Sequence, residues 1–291
     1  MALDKKIAEF YSRPGRMTEP GAQATAFEGL PHGLGDAAKI VQGFMLHEHW
    51  APAYRQNLTP ERRAESQLRS TERILAHTFA KNPQPLTSDR PLYQRTVGVC
   101  RHFTVVTVAL LRRQGIPARA RCGFGAYFNK GKFEDHWVTE YWDGTRWKLA
   151  DTQIDAAQRA ILSLDMNLFD VPRDRFVIAG DAWLQCRSGR ADPGAFGIFE
   201  MRGLWFIAGN VIRDFAALNN MEMLPWDSWG AMTGPDKPIS EETKALLDRV
   251  GALTLDPDAH FDELRALYES DSRLHVPAQV FNIATKAKEA V

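Results

Sequence analysis

The stretch GVCRHFTVVTVALLRRQGIPARARCGF, residues 98–124, has a cysteine as its third residue and closes on a change of hydrophobic period. Phe103, Val106, Leu110 and Leu111 recur at spacings of three and four, after which Gly115 and Pro117 supply a stop signal. A helix over 100–114 is therefore expected, with Cys100 at its start. The β-branched run at 105–108 would also suit a strand, but the spacing and the Gly-x-Pro ending favour the helix. Downstream, residues 118–128 alternate, 129–132 read as a turn, and 133–142 alternate again. Asp143-Gly144 is a hairpin signal and 145–151 completes a third strand. A buried helix followed by an antiparallel meander is the expected centre of the chain.

Working outward, Asp36 begins a helical pattern that Pro52 closes. Thr59 can cap a second helix with Pro60 at its first position, and Leu68, Leu75 and Phe79 follow until Asn82-Pro83 stops the run. Residues 83–91 contain three prolines and read as a linker. Beyond 151 the pattern returns to helix, over 173–187 and 203–219, after a cap at Ser240, and from Asp256-Pro257 through Tyr268. The expected class is α+β, a small central sheet with helices before and after it. The expected division is a helical part at 1–90, a catalytic core at 91–155 and a mainly helical extension at 156–291 that shapes a substrate cleft. Aromatic residues cluster between Phe196 and Trp229, at a spacing that fits either core packing or the walls of that cleft.

The chain has 291 residues, 44% apolar and 25% charged, with 36 basic residues against 36 acidic ones. These proportions exclude wholesale disorder, and the balance removes the positive field expected of a dedicated nucleic-acid binder. The total hides an uneven distribution: from Arg95 to Lys132 there are eight basic residues and no acidic one. Three cysteines, Cys100, Cys122 and Cys186, show no CxxC spacing, so reduced thiols in a cytoplasmic protein are expected. The N-terminal residues lack the apolar core of a signal peptide, and no window approaches a membrane span.

A cysteine at a helix start, followed by strands bearing a histidine and an aspartate, has the parts that thiol chemistry needs. A free thiol is mostly un-ionised at neutral pH, whereas a helix N-terminus and an imidazolium both favour thiolate. The imidazole must be held in one tautomer by an acceptor on its far nitrogen. His136 and Asp151 fit that requirement. With Asp143-Gly144 as a two-residue loop, 142 pairs with 145, and His136 then lies directly opposite Asp151.

These residues resemble the transglutaminase-like superfamily, which includes peptide N-glycanases and bacterial cysteine proteases. The resemblance rests on GVCRHFT at 98–104, RRQGIPARARCGF at 112–124, DHWVTEYWDGTRW at 135–147 and LADT at 149–152. It implies a papain-like core with Cys100 as nucleophile, His136 as base and acid, and Asp151 orienting the histidine. Nothing matches the calcium-binding segments or β-sandwich domains of the animal transglutaminases, so protein crosslinking does not follow. Gln94, six residues before Cys100, is similar in spacing to the papain-like oxyanion glutamine, and Tyr93 competes with it for that role.

Each of these residues also has a structural reading. Cys100 would be a small buried apolar residue, His136 a strand histidine satisfied by a neighbour, and Asp151 a turn cap. His102 is expected to pack on the helix, and Cys122 and Cys186 to be structural thiols. His47-Glu48-His49 does not make a metal pair on a helix, where i and i+2 diverge, and no metal or other cofactor is expected. Arg101, beside the nucleophile, would bind an anionic group of the substrate, and Trp137 would line the substrate site. The expected function is thiol-dependent acyl transfer on a peptide, amide or carrier-bound acyl substrate, without nucleic-acid or membrane partners. The alternative is a binding module that keeps the papain-like core without catalysis.

Overall fold

The computed structural model describes residues 2–291. The chain forms two compact units, Met1–Ala120 with Val138–Val171, and Arg121–Trp137 with Pro172–Val291.

In the first unit, α1 (Lys5–Ser12) is capped by the Asp4 carboxylate, which accepts from the Lys6 and Ile7 amides. Helix α2 (Leu34–Phe44) carries Asp36 in its first turn but ends well before Pro52. There the backbone leaves the helix as β1 (Met45–His47), which pairs in parallel with β2 (Thr96–Gly98), so a tertiary ladder overrides the helical pattern. Pro52 falls inside the 3₁₀ turn Glu48–Tyr54. Thr59 caps α3 (Pro60–Ala64), with Pro60 at the first position as expected, but the predicted single helix is broken. Ser70 begins α4 (Thr71–Lys81) by accepting from the Arg73 amide. Between the two helices the Glu65 carboxylate is drawn to the Val97 amide (2.7 Å) and to Lys81 Nζ (3.1 Å), an anchor that no local pattern announces.

Helix α5 (Cys100–Arg113) is buried on all sides, 13 of its 14 residues included, so its apolar stripe understates its depth. It packs against α1, α2 and α4. A polar side chain on such a helix must find partners inside. Arg112 donates to the Ala118 carbonyl and to Thr18 Oγ1, both at 2.9 Å, and the Thr107 hydroxyl meets that of Thr152 at 3.0 Å.

Strands β3 (Ala118–Gly125) and β4 (Phe133–Trp142) each contribute residues to both units. The C-terminal half of β4 pairs antiparallel with β5 (Trp147–Ala150), in a register of Thr139 with Ala150 and Trp142 with Trp147. The connecting loop is therefore 143–146, two residues longer than expected. The Asp143 carboxylate accounts for the length, since it accepts from the amides of Thr145 and Arg146 and from the Thr145 hydroxyl, and pairs with Lys148. Extended by one residue, the ladder sets Asp151 level with Val138, not with His136. The shift is even, so each side chain keeps its predicted face. Helix α6 (Ala156–Ile161) follows, with Asp155 accepting from the Gln158 amide.

In the second unit, β3 pairs antiparallel with β6 (Phe176–Ile178), and Gly123 lets the strands approach closely: a Cβ there would lie 2.3 Å from the Val177 carbonyl oxygen. The helix predicted over 173–187 thus begins only at α7 (Ala179–Arg187), because its first residues are taken by the sheet. The start of β4 pairs in parallel with β7 (Phe196–Ile198), which turns back as β8 (Met201–Arg202). The sheet order is β6-β3-β4-β7-β8, with β5 also on β4. Helices α8 (Leu204–Leu218), α9 (Glu241–Leu255) and α10 (Phe261–Ser270) complete the helical part, and Ser240 caps α9 as expected. Phe196, Phe206, Phe215 and Trp229 are buried, so these members of the aromatic cluster are core. A small sheet of β9 (Asp227–Ser228), β10 (Gln279–Asn282) and β11 (Ala287–Ala290) closes this unit without any prior sequence signal. Among the described residues, no helix is long and apolar enough to cross a membrane.

Candidate active site

Strand β2 delivers the chain to Val99, which is extended, and α5 then starts at Cys100. The turn is locked by His102: its Nδ1 accepts from the Val99 amide at 3.1 Å, while its own amide donates to the Val99 carbonyl at 2.8 Å. Gly98 is required beside it, since a Cβ there would meet the His102 Cβ at 2.8 Å. Burial, and then the Arg101 charge, push the His102 imidazole down to about 3, so the ring is neutral and serves as a helix cap. Cys100 itself is 7% exposed, at the positive end of the helix dipole.

Asp151 follows β5 directly and is 1% exposed. Its amide donates to the Leu168 carbonyl at 2.8 Å, and its Oδ1 accepts from the Gln153 amide at 3.2 Å. The segment is pinned further by Gln42, whose amide donates to the carbonyls of Thr152 (3.0 Å) and Ile154 (3.2 Å). Near it a shallow cleft, with about 10 Å3 of room for water-sized spheres, is lined by His47, Tyr54, Arg95, Phe103, Gln153 and Asp155, among others. Gln153 Oε1 is buried there without a hydrogen-bond partner.

His136 belongs to the second unit, on β4, and is 2% exposed. Aromatic rings wall it. Phe128 is edge-on at 4.8 Å between centroids, with Tyr127 at 6.0 Å and Phe176 at 6.3 Å. The sequence reading missed these rings. Tyr127 and Phe128, at the end of an alternating run, were the available signal, whereas Phe176 was hidden in a misassigned helix. Trp137, next along the strand, is buried in the same unit, and its indole N–H has no acceptor among the described residues.

The lesser candidates fall differently. Arg101 is wholly buried and donates through Nη1 to the Arg69 carbonyl, so its charge is spent inside the first unit and is not offered to a substrate anion. Gln94 Oε1 accepts from Asn82 Nδ2 at 2.6 Å, and its amide nitrogen lies 3.5 Å from the Tyr93 hydroxyl. Tyr93 is 67% exposed. His47 is on β1 and accepts at Nδ1 from the His49 amide. No group of three metal-ligating side chains is found among the described residues. Cys122 is buried, and the Cys186 thiol is pushed up to about 11 by burial and by Asp192.

Residues 48–152 match the family model of the transglutaminase-like superfamily core, so the chain carries a transglutaminase-like segment within its mixed helix-and-sheet fold. The match includes Cys100, His136 and Asp151. No curated protein matches the chain. A solved structure from Cytophaga hutchinsonii, called a "Putative Cysteine Protease", is similar at 19% identity and a TM-score of 0.35, over 60% of this chain. The similarity spans 46% of that protein, about half its length.

Proposed function

We propose that this protein is a thiol-dependent acyl-transfer enzyme acting on an amide or thioester, with Cys100 as nucleophile, His136 as general base and acid, and Asp151 orienting the imidazole. The observation that carries the reading is a nearly buried cysteine as the first residue of α5, inside the transglutaminase-like segment. In the proposed cycle the Cys100 sulfur attacks the carbonyl carbon while His136 holds the thiol proton. That proton passes to the departing amine or thiol as the bond to the carbonyl breaks, leaving a thioester on Cys100. An acceptor, water or an amine, then adds to the thioester and gives its proton to His136, and the restored thiol leaves. The amides of the first turn of α5 are suited to the oxyanion, with Gln94 or Tyr93 as the side-chain donor.

An acyl-enzyme on Cys100, trapped from a cell extract and read by mass spectrometry, tests this directly and identifies the acyl group. Stoichiometric alkylation by iodoacetamide at about pH 6, lost in His136→Ala, is the expected behaviour of an activated thiol. Sluggish labelling indifferent to His136 would instead support a binding module that keeps the core without its chemistry.

A further inference from the structure

Surface turns are ordinarily built from small or polar residues, but the β7–β8 hairpin is tipped with large apolar ones. Ile198 pairs with Met201, so Phe199 and Glu200 form a two-residue turn. Glycine or asparagine is the usual first residue of such a turn, because the backbone there is left-handed. Here Phe199 holds that conformation, at φ +50°, with its side chain 61% exposed, and Met201 beside it is 46% exposed. The base of the hairpin is tightly packed: Phe196 stacks on Phe133 at 4.4 Å between centroids and meets Phe124 edge-on at 5.2 Å. Arg202 fixes the tip. Its Nε donates to the Phe199 carbonyl at 3.0 Å, its Nη1 to the Ala195 carbonyl at 3.2 Å and its Nη2 to Glu134 Oε1 at 2.5 Å. One guanidinium thus ties the unfavourable backbone of Phe199 to β4, two residues before His136. Gly197 pairs with Glu134 on one side and with Arg202 on the other, so these residues share a face of the sheet, and alternation puts His136 on the same face.

We propose that Phe199 and Met201 are specificity-determining residues, an apolar subsite at the edge of the His136 face that takes a bulky hydrophobic side chain of an amide substrate. The inference rests on the Cys100–His136 pairing proposed above and assigns its substrate class. Three observations carry it. Unfavourable backbone is retained where surrounding structure enforces it, and it gathers at ligand-binding positions. The His136 ring is already walled by aromatic side chains, the half-buried Phe128 among them, and the tip adds apolar surface to that wall. Two side chains are also too small a patch for a stable dimer, which needs about 800 Å2 from each partner, but they match one apolar group.

The test is alkylation at Cys100, read by peptide mass spectrometry, with iodoacetamide, N-benzyl-iodoacetamide and N-(4-phenylbutyl)-iodoacetamide. Each rate is divided by that of the same reagent with free glutathione. Contact with about 60 Å2 of apolar surface changes affinity about tenfold, so at least one aryl reagent should outpace iodoacetamide by about that factor on the wild type. Phe199→Asn combined with Met201→Ser should abolish the preference, and Phe199→Leu should keep most of it. Asparagine suits the left-handed turn, so the thermal midpoint of Phe199→Asn should hold or rise while its selectivity falls, a combination that a merely structural role does not give.

A wild type without the preference, or a folded double variant that retains it, overturns the inference, while His136-dependent labelling leaves the Cys–His pairing standing. Should the double variant fail to fold, an unmoved preference in Phe199→Asn overturns it equally. A wild-type dimer that dissociates on Phe199→Asn in analytical ultracentrifugation would show that a second copy covers the tip, and also overturns it. Labelling by every reagent that is indifferent to His136→Ala overturns the pairing and this inference together.

Discussion

The imidazole of His102 lies two residues past Cys100, yet its Nδ1 is engaged in ending the strand and starting the helix. Its pKa, pushed down to about 3 from 6.5, has a consequence for stability. Between those values the unfolded chain binds a proton that the folded one refuses, so stability is fully present above 6.5 and is lost as pH falls. The slope from this group alone is about 1.4 kcal/mol per pH unit. His102→Asn retains an acceptor for the Val99 amide without a titrating group. Its denaturation midpoint should therefore fall less than the wild type's between about pH 6.5 and pH 5, and parallel decline in the two proteins would refute this account. The sequence proposes Cys100, His136 and Asp151 as a set, because motif order and a helix start are local features; the structure bears out the helix start at Cys100. The sequence misreads Arg101, since the destination of an arginine depends on where the Arg69 carbonyl lies, which no window around residue 101 contains.

Elements with local start and stop signals were readable: α5 between Cys100 and Gly115, α9 behind Ser240, and the strand pair around Asp143. Those shaped by distant partners were not. Helix α2 yields to the β1–β2 ladder, and the residues before α7 yield to β3. The hairpin fails in an instructive way, since Asp-Gly announces a turn but its length follows from where the Asp143 carboxylate bonds. One link between elements bears on the candidate site: the buried hydroxyl pair Thr107–Thr152 fastens α5 to the residue after Asp151. Thr107→Val keeps the shape but strands the Thr152 hydroxyl, at about 1–3 kcal/mol. Chemical denaturation of Thr107→Val, Thr152→Val and the double variant checks this. The double should recover much of the loss, and strictly additive losses would mean that the pair is not coupled.

Over the whole molecule, the acid-free run from Arg95 to Lys132 looks in sequence like a basic surface, and it is largely an internal feature. Arg101, Arg112, Arg119 and Arg121 are all buried. Arg119 meets Glu140 at 2.6 Å with its guanidinium over the rings of Tyr11 and Trp147, and Arg121 meets Asp214 at 2.9 Å while also donating to the Thr254 carbonyl. Their acids lie 21 and 93 residues further along, which is why a local count of charge finds none. A net charge of zero therefore combines exposed charges with ion pairs that water does not screen. A buried pair of this kind is a poor source of stability but a strong constraint, because losing one partner leaves the other charged in the interior. Arg121→Met should accordingly cost about 3–5 kcal/mol by stranding Asp214. The double change Arg121→Met with Asp214→Leu removes both charges and should be much less damaging than the single one, although the Cys122 amide then loses the acceptor it has in Asp214. Urea midpoints at low and high salt decide the matter. Recovery in the double variant, with little salt dependence in the wild type, is the expected result; a double variant no better than the single would show that Arg121 acts through the Thr254 carbonyl and packing instead of through its charge.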